Sequence, residues 1–138
     1  MARTVADVMT THPAAVECDQ PVKVAAALMR DNDTGAIIVN ENGRMRGIVT
    51  DRDIAVRCVA DDKGPDTPVR EACSTSVEAI GPDTSVDQAV KLMRSHHVRR
   101  LPVVEDGRPV GIVSLGDLVM EREPDSALAD ISAAEATR

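Results

Sequence analysis

Gly47-Ile48-Val49-Thr50-Asp51-Arg52-Asp53-Ile54 returns 64 residues later as Gly111-Ile112-Val113-Ser114-Leu115-Gly116-Asp117-Leu118. Each octapeptide holds a glycine, two apolar residues, a hydroxyl residue and, three positions on, an aspartate. An apolar run that stops at Ser/Thr-x-x-Asp reads as a strand ending where a capped helix begins. Sliding the whole chain by 64 residues extends the match. Between Val5 and Ala55, 17 of 51 positions are identical to their partners between Val69 and Val119, without a gap. Average residue usage would give about 3 by chance. Leu28-Met29-Arg30 returns as Leu92-Met93-Arg94, and Glu41-x-Gly43-Arg44 as Glu105-x-Gly107-Arg108. The chain is therefore two copies of one unit.

Each copy carries the same local pattern. Val22, Ala25, Ala26 and Met29 recur at helical spacing, with Asp19 and Pro21 near the start. The second copy has Val86, Ala89, Val90 and Met93, with Thr84 or Ser85 as the expected cap. Apolar runs at 36–39 and 101–104 predict a strand. Glu41-Asn42-Gly43 and Glu105-Asp106-Gly107 predict the turn of a hairpin, where glycine takes a positive φ at little cost. A second strand and a second helix follow. Residues 14–17 and 77–80 predict a short strand before the first helix. Pro102 forfeits a ladder bond inside its strand and implies a sheet edge or a bulge.

Each copy thus reads β-α-β-β-α. About 60 residues cannot bury a sheet face alone. The expected fold is α+β: two tandem motifs packed sheet to sheet about a pseudo-twofold, with matching clefts between them. Motif 1 is expected over 1–60, a Gly/Pro-containing linker over 61–68 and motif 2 over 69–122. A tail over 123–138 is expected as a weak helix or disordered.

Composition excludes several functions. The 138 residues include no Phe, Tyr or Trp, so stacking platforms for single-stranded bases and a membrane aromatic belt are absent. Net charge is −7, against a phosphate-backbone binder. No apolar stretch approaches a membrane span, and the N-terminus lacks the apolar core of a signal peptide. Cys18, Cys58 and Cys73 are odd in number and far apart, with no C-x-x-C, which reads as free thiols in a reducing cytoplasm. His96 and His97 lack ligands in metal spacing. No base, nucleophile and orienting group stand together, so no enzyme is expected, and neither is nucleic acid or membrane binding.

Taken together, the two octapeptides, the preceding helices and Arg100-Leu101-Pro102-Val103-Val104 resemble the CBS-domain pair, or Bateman module. The resemblance covers residues 3 to about 122. It implies clefts that bind adenine nucleotides or related adenosyl compounds, with AMP, ADP or ATP as candidate regulatory ligands and no required cofactor. The signature aspartate would hold the ribose diol, and the hydroxyl residue would lie by ribose or phosphate. The two sites would be Thr50/Asp53 and Ser114/Asp117. A carboxylate suits a vicinal diol, each charge-assisted bond contributing ~1.5–3 kcal/mol. The same Ser/Thr-x-x-Asp is also a capping box, and one residue can serve both roles.

The copies differ around these sites. His96-His97-Val98-Arg99-Arg100 resembles a basic stretch in the gamma subunit of AMP-activated kinase, which makes Arg99 and Arg100 candidate phosphate ligands. The first copy has Asn32-Asp33-Thr34-Gly35-Ala36 there. By the same resemblance, adenine at the Asp117 site would lean on Met9, Ala14, Val16 and Ile112, while Glu78 takes the place of Ala14 at the Asp53 site. The Asp117 site is therefore expected to prefer a phosphorylated adenosine and the Asp53 site to be weak, empty or tuned to something else. A homodimer is expected, with an unidentified protein partner possible. The competing reading is a structural or partner-binding protein with no nucleotide ligand.

Overall fold

The 64-residue period returns in the backbone of the structure, a computed structural model that describes residues 3–122. In chain order the strands are β1 (Thr10–Thr11), β2 (Ala15–Glu17), β3 (Ala36–Glu41), β4 (Arg44–Thr50), β5 (Arg100–Glu105) and β6 (Arg108–Ser114). The helices are α1 (Val22–Asn32), α2 (Asp51–Ile54), α3 (Val86–His96) and α4 (Leu115–Arg122). A π-helical turn, Ala55–Val59, continues α2, and 3-10 turns stand at Val5–Asp7 and Val69–Glu71. The described residues divide into two compact units: Ala14–Val77, and 78–122 together with 3–13. The expectation for 123–138 lies outside the described residues.

In the Ala14–Val77 unit the sheet order is β2-β3-β4, with β2 parallel and β4 antiparallel to β3. Ala36, Ile37, Ile38 and Val39 are all buried, which fits a central strand covered on both faces. Helix α1 turns Val22, Ala25 and Met29 inward, while Ala26, expected on that stripe, is exposed. Its N-cap is Pro21, in extended conformation and without a side-chain cap, rather than Asp19. The linker caps the helix instead. The Val22 N–H donates to Thr67 O at 2.8 Å and the Lys23 N–H to Pro65 O at 3.1 Å. These are donors that a helix start leaves unpaired.

In the other unit the order is β1-β6-β5, all antiparallel. Ser85 caps α3 by a reciprocal box with Gln88, and Val86, Ala89, Val90 and Met93 are all buried, as spaced. Both hairpin turns put two successive residues at positive φ: Asn42 and Gly43 at 54° and 81°, Asp106 and Gly107 at 54° and 80°. That is the turn whose twist matches the strands.

The strand expected at 77–80 does not form. Only Ile80 pairs, by a single parallel bridge to Val103, where the first copy has the full strand β2. Pro102 explains this. In the first copy the Ile38 N–H donates to Ala14 O at 3.2 Å. Pro102 occupies the matching position and has no N–H. β5 lies at the sheet edge, where a proline is tolerated. The register shift after Val103 is not its doing, because β3 shifts after Val39 without a proline.

The compact units and the sequence repeats are offset. Residues 3–11 seat on the second copy: the Val5 N–H donates to Thr84 O at 2.8 Å, the Ala6 N–H to Pro82 O at 3.2 Å, and Arg3 O accepts from Val86 N–H at 3.0 Å. Residues 67–74 seat on the first copy by the same bonds shifted by 64. The Val69 N–H donates to Gln20 O at 2.8 Å and the Arg70 N–H to Cys18 O at 2.9 Å. Val5 and Val69 are fully buried, each in the core of the unit that receives its segment. The lead segment of each repeat thus belongs to the other repeat's core.

Candidate functional site

Ser114 ends β6 and Asp117 lies in the first turn of α4. The Asp117 N–H donates to Ser114 Oγ at 3.1 Å, and Asp117 Oδ2 accepts the Ser114 N–H at 3.3 Å. This is the capping box expected from Ser-x-x-Asp. It holds the aspartate in one orientation and uses Oδ2; Oδ1 takes no part in it. Ser114 is buried and Asp117 half-buried. Arg100 pairs with Ser114 across the hairpin, and Arg99 O accepts the Leu115 N–H at 2.7 Å. The main chains of the two arginines therefore run beside the box. Arg99 is exposed and Arg100 half-buried. Ile112 pairs with Thr10 in β1, and Met9 lies against Gly111. Ser114, Asp117, Arg99, Arg100, Ile112 and Met9 are thus gathered in one unit.

The neighbourhood of Thr50 and Asp53 is built alike but finished differently. Thr50 Oγ1 accepts the Asp53 N–H and Asp53 Oδ2 accepts the Thr50 N–H, both at 3.0 Å. Here Arg57, missed in the sequence reading, lies one turn on, with Nε 4.0 Å from Asp53 Oδ1. Its signal was present in the sequence: an opposite charge four residues on along a helix, where the repeat carries Glu121. Ala14 and Val16 belong to this unit. Val16 is only 2% exposed and sits in its hydrophobic core, with Ala14 packed against it. Glu78 belongs to the other unit, where its carboxylate lies 3.7 Å from His96 Nε2.

All three cysteines are free of disulfides and fall in the core of the Ala14–Val77 unit. Burial, then a hydrogen bond to Glu41, raises the Cys18 thiol above its ordinary range. Burial also raises Cys73, partly offset by the positive charge of Arg46. Among the described residues, no three His, Cys, Asp or Glu side chains are grouped as metal ligands, and no helix is long and apolar enough to cross a membrane.

The CBS domain family matches this chain twice, over residues 5–59 and 69–124. The chain belongs to the CBS domain family. The CBS domain-containing protein YhcV of Bacillus subtilis is 43% identical over 133 residues, covering 94% of this chain and 95% of YhcV. Hypoxic response protein 1 of Mycobacterium tuberculosis is 32% identical over 117 residues, covering 83% and 82%. A structure of hypoxic response protein I with two coordinated zinc ions is 30% identical, with a TM-score of 0.77 and coverage of 86% and 98%. A CBS-domain structure from Burkholderia ambifaria is 32% identical with a TM-score of 0.78, covering 90% of this chain and 96% of its own. These matches establish the tandem CBS motifs and the mixed α+β fold.

Proposed function

We propose that this CBS pair is a non-catalytic regulatory module that binds an adenosyl ligand, with its stronger site at Ser114 and Asp117. One observation carries the reading. The Asp117 carboxylate is fixed by its capping box, half-buried, with Oδ1 outside that box, Arg100 on the adjoining strand and Arg99 just before it. A fixed carboxylate accepts both hydroxyls of a ribose without losing side-chain entropy on binding. With no aromatic ring in the chain, π-stacking on adenine is unavailable. Ribose and phosphate contacts therefore supply a larger share of the affinity. Arg99 and Arg100 are assigned to phosphate, and Met9 and Ile112 to the adenine; Val16, expected there from the resemblance, is closed into the core of the Ala14–Val77 unit with Ala14 packed against it. Ligand binding shifts the packing of the module through differential affinity for two states. AMP, ADP and ATP are the candidate ligands, in a cytoplasmic homodimer.

Isothermal titration of wild type, Asp53→Ala and Asp117→Ala with AMP, ADP and ATP tests this. Asp117→Ala should weaken binding by about tenfold or more, the equivalent of one charge-assisted hydrogen bond. Asp53→Ala should leave that event nearly unchanged. Equal losses from the two substitutions refute the inequality of the sites. The second reading, a partner-binding protein without nucleotide, draws on the same boxes: a hydroxyl and a carboxylate that cap a helix already have a structural use. Absence of binding and of thermal stabilisation with all three nucleotides would favour it.

A further inference from the structure

Neither the repeat nor ribose binding calls for an arginine at position 57. One turn after Asp53, its guanidinium donates to two carbonyls of the Ala14–Val77 unit and stands at ion-pair distance from the Asp53 carboxylate. Nε lies 4.0 Å from Asp53 Oδ1, and Nη1 donates to Ala72 O at 3.3 Å and Cys73 O at 3.2 Å. The other carboxylate oxygen, Oδ2, accepts the Thr50 N–H. Oδ2 is thus hydrogen-bonded within its own unit, and Oδ1 has the Arg57 guanidinium beside it at ion-pair distance. Ala72 and Cys73 belong to the lead segment 67–74, and their counterparts 64 residues earlier are Val8 and Met9. Met9 is a residue assigned above to adenine at the stronger site. One side chain therefore spans the acid that would hold ribose and the segment that would face the base.

We propose that Arg57 is a built-in occupant of the Asp53 site, which keeps that site closed to nucleosides. The inference rests on reading the Ser/Thr–Asp pairs as ribose sites. Charge favours the intramolecular pair over a neutral ribose diol: the guanidinium and the carboxylate attract across 4.0 Å, while the planar fork also serves the two carbonyls. The Arg57 side chain is 48% exposed. It can therefore swing out without breaking the core, so its removal should open the site rather than unfold the unit.

The test is isothermal titration with adenosine and with AMP on wild type, Arg57→Ala and the double variant Arg57→Ala/Asp53→Ala. Arg57→Ala should gain adenosine binding at least about tenfold over wild type at this site. Asp53→Ala in the same chain should abolish the gain. Should Arg57→Ala melt below the assay temperature, Arg57→Met keeps the aliphatic stem and takes its place. Unchanged adenosine binding in the arginine variant overturns the proposal. So does a selective loss of AMP affinity, which would make Arg57 a phosphate ligand. A wild-type titration insensitive to Asp117→Ala refutes the stronger site alone, since the Arg57→Ala gain is read separately.

Discussion

Cys18 and Cys73 illustrate what burial does to a single group. Both sulfurs lie in an aliphatic core, and Glu41 adds a hydrogen bond and a negative charge beside Cys18. Each effect disfavours the thiolate, so the folded protein holds these protons more tightly than the unfolded chain. The stability they contribute is complete below the ordinary thiol range and is lost as pH rises through the folded-state values. Native protein should thus react slowly with an aromatic disulfide reagent at pH 7 and faster at pH 9. Its urea midpoint should fall between pH 8 and pH 10 by more than that of a Cys18→Val/Cys73→Ala variant. Rapid labelling of native protein at pH 7 would refute this. At the same scale, the Ser/Thr-x-x-Asp boxes were legible in the sequence because capping is local. The engagement of Arg57 with Ala72 and Cys73 was not, since those carbonyls lie 15 and 16 residues away in the chain.

Between elements, the decisive positions are the glycines that open each octapeptide. A Cβ on Gly47 would meet backbone: Ser74 O, Ser74 C at 3.0 Å and Thr75 Cα at 3.3 Å. A Cβ on Gly111 would meet mainly the end of a flexible side chain, Met9 Sδ and Cγ (2.9 Å), with Thr10 O at 3.0 Å. Glycine lets the lead segment lie against β4 or β6. Because backbone cannot move aside as a methionine can, Gly47→Ala should cost about 2–3 kcal/mol and Gly111→Ala about 1 kcal/mol less. Urea titration of both variants checks the order, and a larger loss for Gly111→Ala would contradict it. Helix and hairpin positions were readable because period and turn chemistry are set by neighbours in sequence. The missing strand at 77–80 was not, although its cause, Pro102, was visible. Seen from the sequence, the lost bond falls within the proline's own strand; only the pairing shows which partner loses it.

Across the whole molecule, the offset between repeats and compact units has a direct consequence. A chain of residues 1–64 contains one complete repeat but lacks Val69, Ala72 and Cys73, which complete its core. It also lacks Pro65 and Thr67, which cap α1. A chain of residues 14–77 has all of them. The first should be less stable by about 3 kcal/mol or more, from buried side chains and unpaired N–H groups together. Far-UV circular dichroism and hydrogen exchange on the two chains decide it: greater protection in 1–64 would show that the repeat, not the exchanged unit, is the folding unit.

The sequence by itself determined the family, the duplication, most elements and their turns, and the Ser/Thr–Asp boxes. All of these follow from local periodicity, local φ preferences and a fixed spacing. Which core receives each lead segment was decided only by the tertiary structure. Residues 5–13 and 69–77 fill equivalent places, so either seat satisfies the same apolar pattern, and a repeat cannot distinguish them. The long-range hydrogen bonds of Val5, Val69, Arg3 and Thr67 make that choice. The same seating of 67–74 on the first copy puts the Ala72 and Cys73 carbonyls within reach of Arg57, whose counterpart in the second repeat is Glu121.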